Sequence, residues 1–175
     1  MGLDLKAFAT EHVCYEVEML IGTSRMLRPE PRTVADNAML ESFLVHARLL
    51  DGFLTGAIPK PGDRFQDDIV ACHYVSEWDR GTVLTLADRD LVNKLVAHIT
   101  SERMNQQPVP VLALQDKIAA ALKKFLNALP SDKQPWFERA ARALSAEPVA
   151  AAAITSTTNS TGVLMMGRLQ PSGDG

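Results

Sequence analysis

The chain of 175 residues carries 18 lysines and arginines against 21 aspartates and glutamates, a formal charge of −3. That length buries one core without disulfides or a structural metal, and the charge excludes a generally basic protein that coats nucleic acid or anionic lipid. Two isolated cysteines, Cys14 and Cys72, with no C-x-x-C spacing, argue against a disulfide framework or zinc ribbon and for free thiols in a reducing compartment.

The segment Met1-Gly2-Leu3-Asp4-Leu5-Lys6 lacks the cationic and apolar regions of a secretion signal. Lys6 stands where myristoylation wants Ser or Thr, and no run of about 18 apolar residues would span a bilayer. The expected location is cytoplasmic, with no membrane partner.

Leu5, Phe8, Ala9, Val13, Met19 and Leu20 recur at helical spacing over residues 3–25, and His12 and Glu16 fall on the same face. After Arg28-Pro29-Glu30-Pro31, residues 34–54 are apolar nearly all round, as in a central buried helix. Its polar members Asn37, Glu41, Arg48 and Asp51 form one narrow stripe. From Pro59 to Thr85 the periodicity is lost among Pro59, Pro61, Gly62 and Gly81, yet Ile69, Val70, Tyr74, Val75 and Trp78 are apolar enough to dock on the bundle.

Thr85 and Asp88 have the spacing of a capping box, and a third helix is expected from there to about Met104. A fourth follows Pro108 and Pro110 with the stripe Val111, Leu114, Ile118, Leu122, Phe125 and Leu129. Ser131 is the expected cap of a short fifth helix docking Trp136, Phe137, Ala140 and Leu144, with Lys133, Glu138, Arg139 and Arg142 toward water. Beyond Pro148 the chain turns Ala-rich, then Ser/Thr/Asn/Gly-rich. The expected fold is therefore all-α: an up-and-down bundle of four main helices plus a short C-terminal helix over residues 1–148, with a long docked loop, and a disordered tail over 149–175.

The sequence contains no phosphate-cradling G-x-x-x-x-G-K-[ST] or G-x-G-x-x-G, no G-x-S-x-G and no H-E-x-x-H. Neither Glu41 with His46 nor His98 with Glu102 has the Glu-x-x-His spacing of a di-metal bundle, so no metal or other cofactor is expected. The remaining chemistry is a polar set on apolar helices. Charged groups on core-facing positions need partners, so Glu41, Arg48, His12 and Glu16 are expected in one polar network that fixes helix register. The alternative makes His98 an acid/base, with Arg48 or Arg103 stabilising a phosphate.

The strings Leu40-Glu41-Ser42-Phe43-Leu44-Val45-His46-Ala47-Arg48-Leu49-Leu50-Asp51-Gly52-Phe53-Leu54 and Val92-Asn93-Lys94-Leu95-Val96-Ala97-His98-Ile99-Thr100-Ser101-Glu102-Arg103 resemble segments of uncharacterised bacterial helical proteins, themselves similar to the HEPN superfamily of helical bundles. In active HEPN ribonucleases an Arg-x(4 to 6)-His motif cleaves RNA without metal, usually across a dimer interface. Here Leu91, Val92 and Asn93 stand where that arginine would be, and Arg89 has eight residues between it and His98. Asn93 keeps a polar group without the fixed positive charge. The resemblance thus implies the fold, with function expected as a non-catalytic binding or assembly module in a bacterial stress or defence system. Its partner would be another protein or a second copy of the chain. The alternative is a degenerate metal-independent ribonuclease acting on RNA through His98, Arg48, Arg103 and Asn93.

Overall fold

A carboxylate starts the first helix: Asp4 accepts the Ala7 N–H at 2.9 Å, and α1 (Leu5–Phe8) follows. The computed structural model describes residues 4–27, 33–97 and 109–146. α1 runs into a π turn, Ala9–Val13, in which the Cys14 N–H reaches back to the Ala9 carbonyl, and continues as α2 (Cys14–Met26). α3 (Val34–Thr55) opens with a full capping box, Thr33 and Asp36 each accepting from the other's backbone. α4 (Leu86–Ala97), α5 (Val111–Ala128) and α6 (Glu138–Ser145) complete the bundle.

The all-α expectation holds, and there is no strand among the described residues. α3 is the central helix, packed against α2, α4 and α5, while α6 closes on α2. Leu44, Ala47, Leu95, Ile118, Leu122 and Phe125 are each at most 1 % exposed, as the periodicity demanded. The α5 stripe is buried along its length, so an apolar face at 3.6-residue period has met a core of matching length. No helix among the described residues is long and apolar enough to cross a membrane.

The connection between α3 and α4 docks as its apolar content implied. Lys60-Pro61-Gly62-Asp63 is a tight turn with Pro second and Gly third, and Gly62 takes φ +93°, the left-handed region that favours glycine. A short 3₁₀ turn, Ala71–His73, then delivers Tyr74 and Trp78 into the core. The Tyr74 hydroxyl donates to the Leu5 carbonyl at 3.0 Å and Trp78 Nε1 to the Leu54 carbonyl at 2.7 Å, so each buried ring keeps its polar end satisfied. Around them Phe53, Phe125 and Phe137 pack edge-to-face, with centroids 5.1 to 6.3 Å apart.

Three local expectations need correction. α3 is not apolar-buried all round, because Val34, Val45 and Leu49 are exposed beside Glu41 and Arg48 on its solvent face, while the other stripe members turn inward, Asn37 half-buried and Asp51 buried. Ser131 caps no helix; the Lys133 and Gln134 N–H groups turn back on the Pro130 carbonyl, and a 3₁₀ turn, Gln134–Phe137, precedes α6. Lys133 is half-buried rather than solvated, donating to the Tyr74 carbonyl at 2.8 Å, whereas Arg139 faces water as expected while forking Glu18 and donating to the Thr10 carbonyl. The expected third-helix residues beyond Ala97 and the expected tail lie outside the described residues.

Candidate functional site

Two hollows flank the outward ridge of α3, and Arg48 and Gly52 border both. The larger is a groove of about 880 Å³ between α1, the π turn and α2 on one side, the C-terminal half of α3, and the loop up to Val70 on the other. Phe8, His12 and Glu16 line it at steps of four, with the Phe8 and His12 rings 5.0 Å apart. Leu49 and Phe53 come from α3, and Phe65, Ile69 and Val70 from the loop. Large apolar groups therefore stand in contact with water here: Leu49 is 50 % exposed and Phe65 57 %. The charged members of the lining are Arg48 against Glu16, Asp67 and Asp68.

Gly56 fixes how the loop leaves α3. A Cβ built there would stand 2.5 Å from Val70 Cγ1 and 2.8 Å from the Gly52 carbonyl, so only glycine lets the loop return this close to the helix end. The π turn sits on the opposite wall and contributes His12 and Val13. Such turns interrupt the regular helical ladder and are frequent where a helix serves a site.

Glu16 looks two ways. It borders the groove, and its Oε2 lies 2.5 Å from His46 Nδ1, tying α2 to α3. His46 is buried at 7 % exposure, and Tyr15 meets its ring edge-on at 5.8 Å. The expected network of Glu41, Arg48, His12 and Glu16 is thus replaced. Glu41 and Arg48 are exposed and no ion pair joins them, His12 is exposed against Phe8, and Glu16 takes a histidine that the sequence had not paired with it.

The smaller hollow, about 290 Å³, lies between α3 and α4 and is bordered by Arg48, Asp51, Gly52, Thr55, Leu84, Arg89, Val92 and Asn93. Asp51 is buried at 6 % exposure and fully engaged. Arg89 Nε reaches Oδ2 at 2.7 Å and Nη2 reaches Oδ1 at 3.1 Å, the Leu84 N–H adds a bond to Oδ1 at 3.2 Å, and Arg89 Nη2 also meets Thr55 Oγ1. Of the candidate catalytic set, Arg48 and Asn93 therefore share this hollow, while His98 and Arg103 lie outside the described residues. Arg89, set aside on its distance from His98, is the missed member. Its only sequence signal was Asp51, an acid on a largely apolar helix in need of a cation.

Among the described residues no three His, Cys, Asp or Glu side chains gather as a metal site would require. Burial pushes the Cys14 thiol above its ordinary pKa, so it is an inert core thiol that also approaches the Trp136 carbonyl. Cys72 is half-buried, its sulfur turned toward the Gly56 carbonyl. Comparison with family models, with curated proteins and with solved structures finds no match to this chain.

Proposed function

We propose that this chain is a non-catalytic helical binding module, HEPN-like in type and cytoplasmic, whose binding surface is the groove beside α3. The observation that carries the reading is the groove's lining: exposed Leu49 and Phe65 over an apolar floor, bordered by three carboxylates and one guanidinium. Soluble proteins seldom leave large apolar side chains clustered in a concave surface without a ligand to cover them. The charge balance of the lining favours an apolar segment that brings a basic residue, and a partner protein supplies it. The HEPN-like relationship, and with it a bacterial stress or defence setting, rests on the resemblance of the two helical strings; the all-α bundle is consistent with it.

The test uses the chain's own sequence as a source of probe. A synthetic peptide of residues 161–170, Thr-Gly-Val-Leu-Met-Met-Gly-Arg-Leu-Gln, is apolar with one arginine. Titration calorimetry should show saturable binding to the wild-type chain, weakened about tenfold or more by Phe65→Ser, whose exposed position leaves the fold intact. Equal binding by wild type and variant would remove the groove as the surface. Sedimentation showing a dimer that Phe65→Ser dissociates would make a second copy the occupant.

A further inference from the structure

Beyond the groove, we infer that the cavity between α3 and α4 is a separate site for a small carboxylic acid, held by Arg48 and Asn93 over an apolar floor. The argument starts from charge. Arg48 and Arg89 border the cavity with Asp51 as the one carboxylate, and Asp51 is already forked by Arg89. Within this lining one positive charge is left over, that of Arg48, which also edges the groove bordered by Glu16, Asp67 and Asp68 but is exposed and forms no ion pair or hydrogen bond with the described residues.

An unengaged guanidinium presents a planar fork that matches a carboxylate through two parallel hydrogen bonds. Asn93 is half-buried on the facing helix and adds an amide donor. A single surplus charge suits a monoanion; a phosphate dianion would bring excess negative charge toward buried Asp51. The ligand's body has its own place, since Leu84 and Val92, each 1 % exposed overall, form the apolar part of the wall. The wall is unobstructed at Gly52, where a Cβ would meet nothing within 4 Å. At about 290 Å³ the space fits a short acid and excludes a folded segment of another protein.

The cavity is also rigidly framed. The Asp51 clamp joins the end of α3 to Leu84 and Arg89 at the start of α4, so the two walls are fixed relative to each other before any ligand arrives. Preorganised walls lower the ordering cost of binding.

The experiment is an amide-shift titration of the full, isotopically labelled chain with sodium butyrate, and separately with n-butylamine and inorganic phosphate. Butyrate should move the Leu84 and Asn93 amides saturably, Arg48→Gln and Asn93→Ala should each weaken it about tenfold, and the exposed control Glu41→Gln should leave it unchanged. The inference fails if butyrate moves neither amide, if Arg48→Gln responds like wild type, or if butylamine acts equally. Phosphate acting at lower concentration than butyrate would overturn the carboxylate assignment. Arg48 also borders the groove, so Phe65→Ser, at a residue that lines the groove and not this cavity, separates the two readings: butyrate binding should survive it, and its loss would overturn the separate site.

Discussion

Arg89 holds Asp51 by both carboxylate oxygens, Nε at 2.7 Å from Oδ2 and Nη2 at 3.1 Å from Oδ1, across 38 residues of chain. This pair, together with the Leu84 N–H, is what orients α4 on α3. Removing the arginine leaves a buried acid with one weak donor. Arg89→Ala should therefore destabilise by about 1–3 kcal/mol, below the ~3–5 kcal/mol typical of a fully buried pair because the Arg89 side chain is 36 % exposed. Urea melts of Arg89→Ala, Asp51→Ala and the double variant should show the double costing less than the sum. Additive losses would mean that the clamp carries no coupling.

The core gives a second prediction. Leu122 is 1 % exposed in the middle of the α5 stripe, and Leu122→Ala should cost about 2–5 kcal/mol, the range set by how far the surrounding side chains can close on the space. Leu112→Ala, at a 53 % exposed position of the same helix, should change stability by less than about 0.5 kcal/mol. Equal effects would contradict the face assignment of α5.

The start of α4 makes a prediction about acid. Thr85 and Asp88 form a reciprocal cap, with Thr85 N–H to Asp88 Oδ2 at 2.9 Å and Asp88 N–H to Thr85 Oγ1 at 3.2 Å. Burial alone would raise the Asp88 pKa, but Lys117 at 2.6 Å and the Thr85 donors outweigh it and hold the group below its ordinary value. A lowered folded pKa means that its stabilisation is complete above the unfolded value of about 4 and is lost as pH falls through the lower folded value. Thr85→Ala should cost about 0.5–2 kcal/mol at pH 7. The gap between wild type and Asp88→Asn should be constant from pH 7 to 5 and shrink below about pH 4; a gap independent of pH down to 2 would rule out the ion pair as its source.

RNA supplies a fourth. Under the binding-module reading, the purified chain leaves single-stranded RNA intact in the presence of chelator, and His98→Ala changes nothing in that assay. Cleavage by wild type that disappears in a His98→Ala variant of unchanged melting temperature would instead establish the ribonuclease alternative.

How much of this was legible depends on whether the determining contact is local. The stripe Val111 to Leu129 and the Thr85–Asp88 cap are local patterns, readable because 3.6-residue periodicity and capping spacing act within one or two turns. The polar partners are not local: Glu16 meets His46 and Asp51 meets Arg89 only after α2, α3 and α4 have packed. For α3 the apolar count misled, because Val45 and Leu49 add to the hydrophobic total while lying beside Glu41 and Arg48 on the solvent face. The groove was hidden for a related reason. Its walls come from three segments, and the π turn that presents His12 leaves no signature in the sequence Ala-Thr-Glu-His-Val.

The central claim, that the groove beside α3 is the binding surface, is tested most directly by where a bound segment is captured. A 161–170 peptide carrying a photo-crosslinking benzophenone at its second methionine, irradiated with the full chain and mapped by mass spectrometry, should label Leu49, Phe65 or Ile69, and the labelling should fall when unmodified peptide competes. Labels confined to the outer faces of α5 and α6, or labelling at Leu49 and Phe65 that unmodified peptide does not displace, would contradict it.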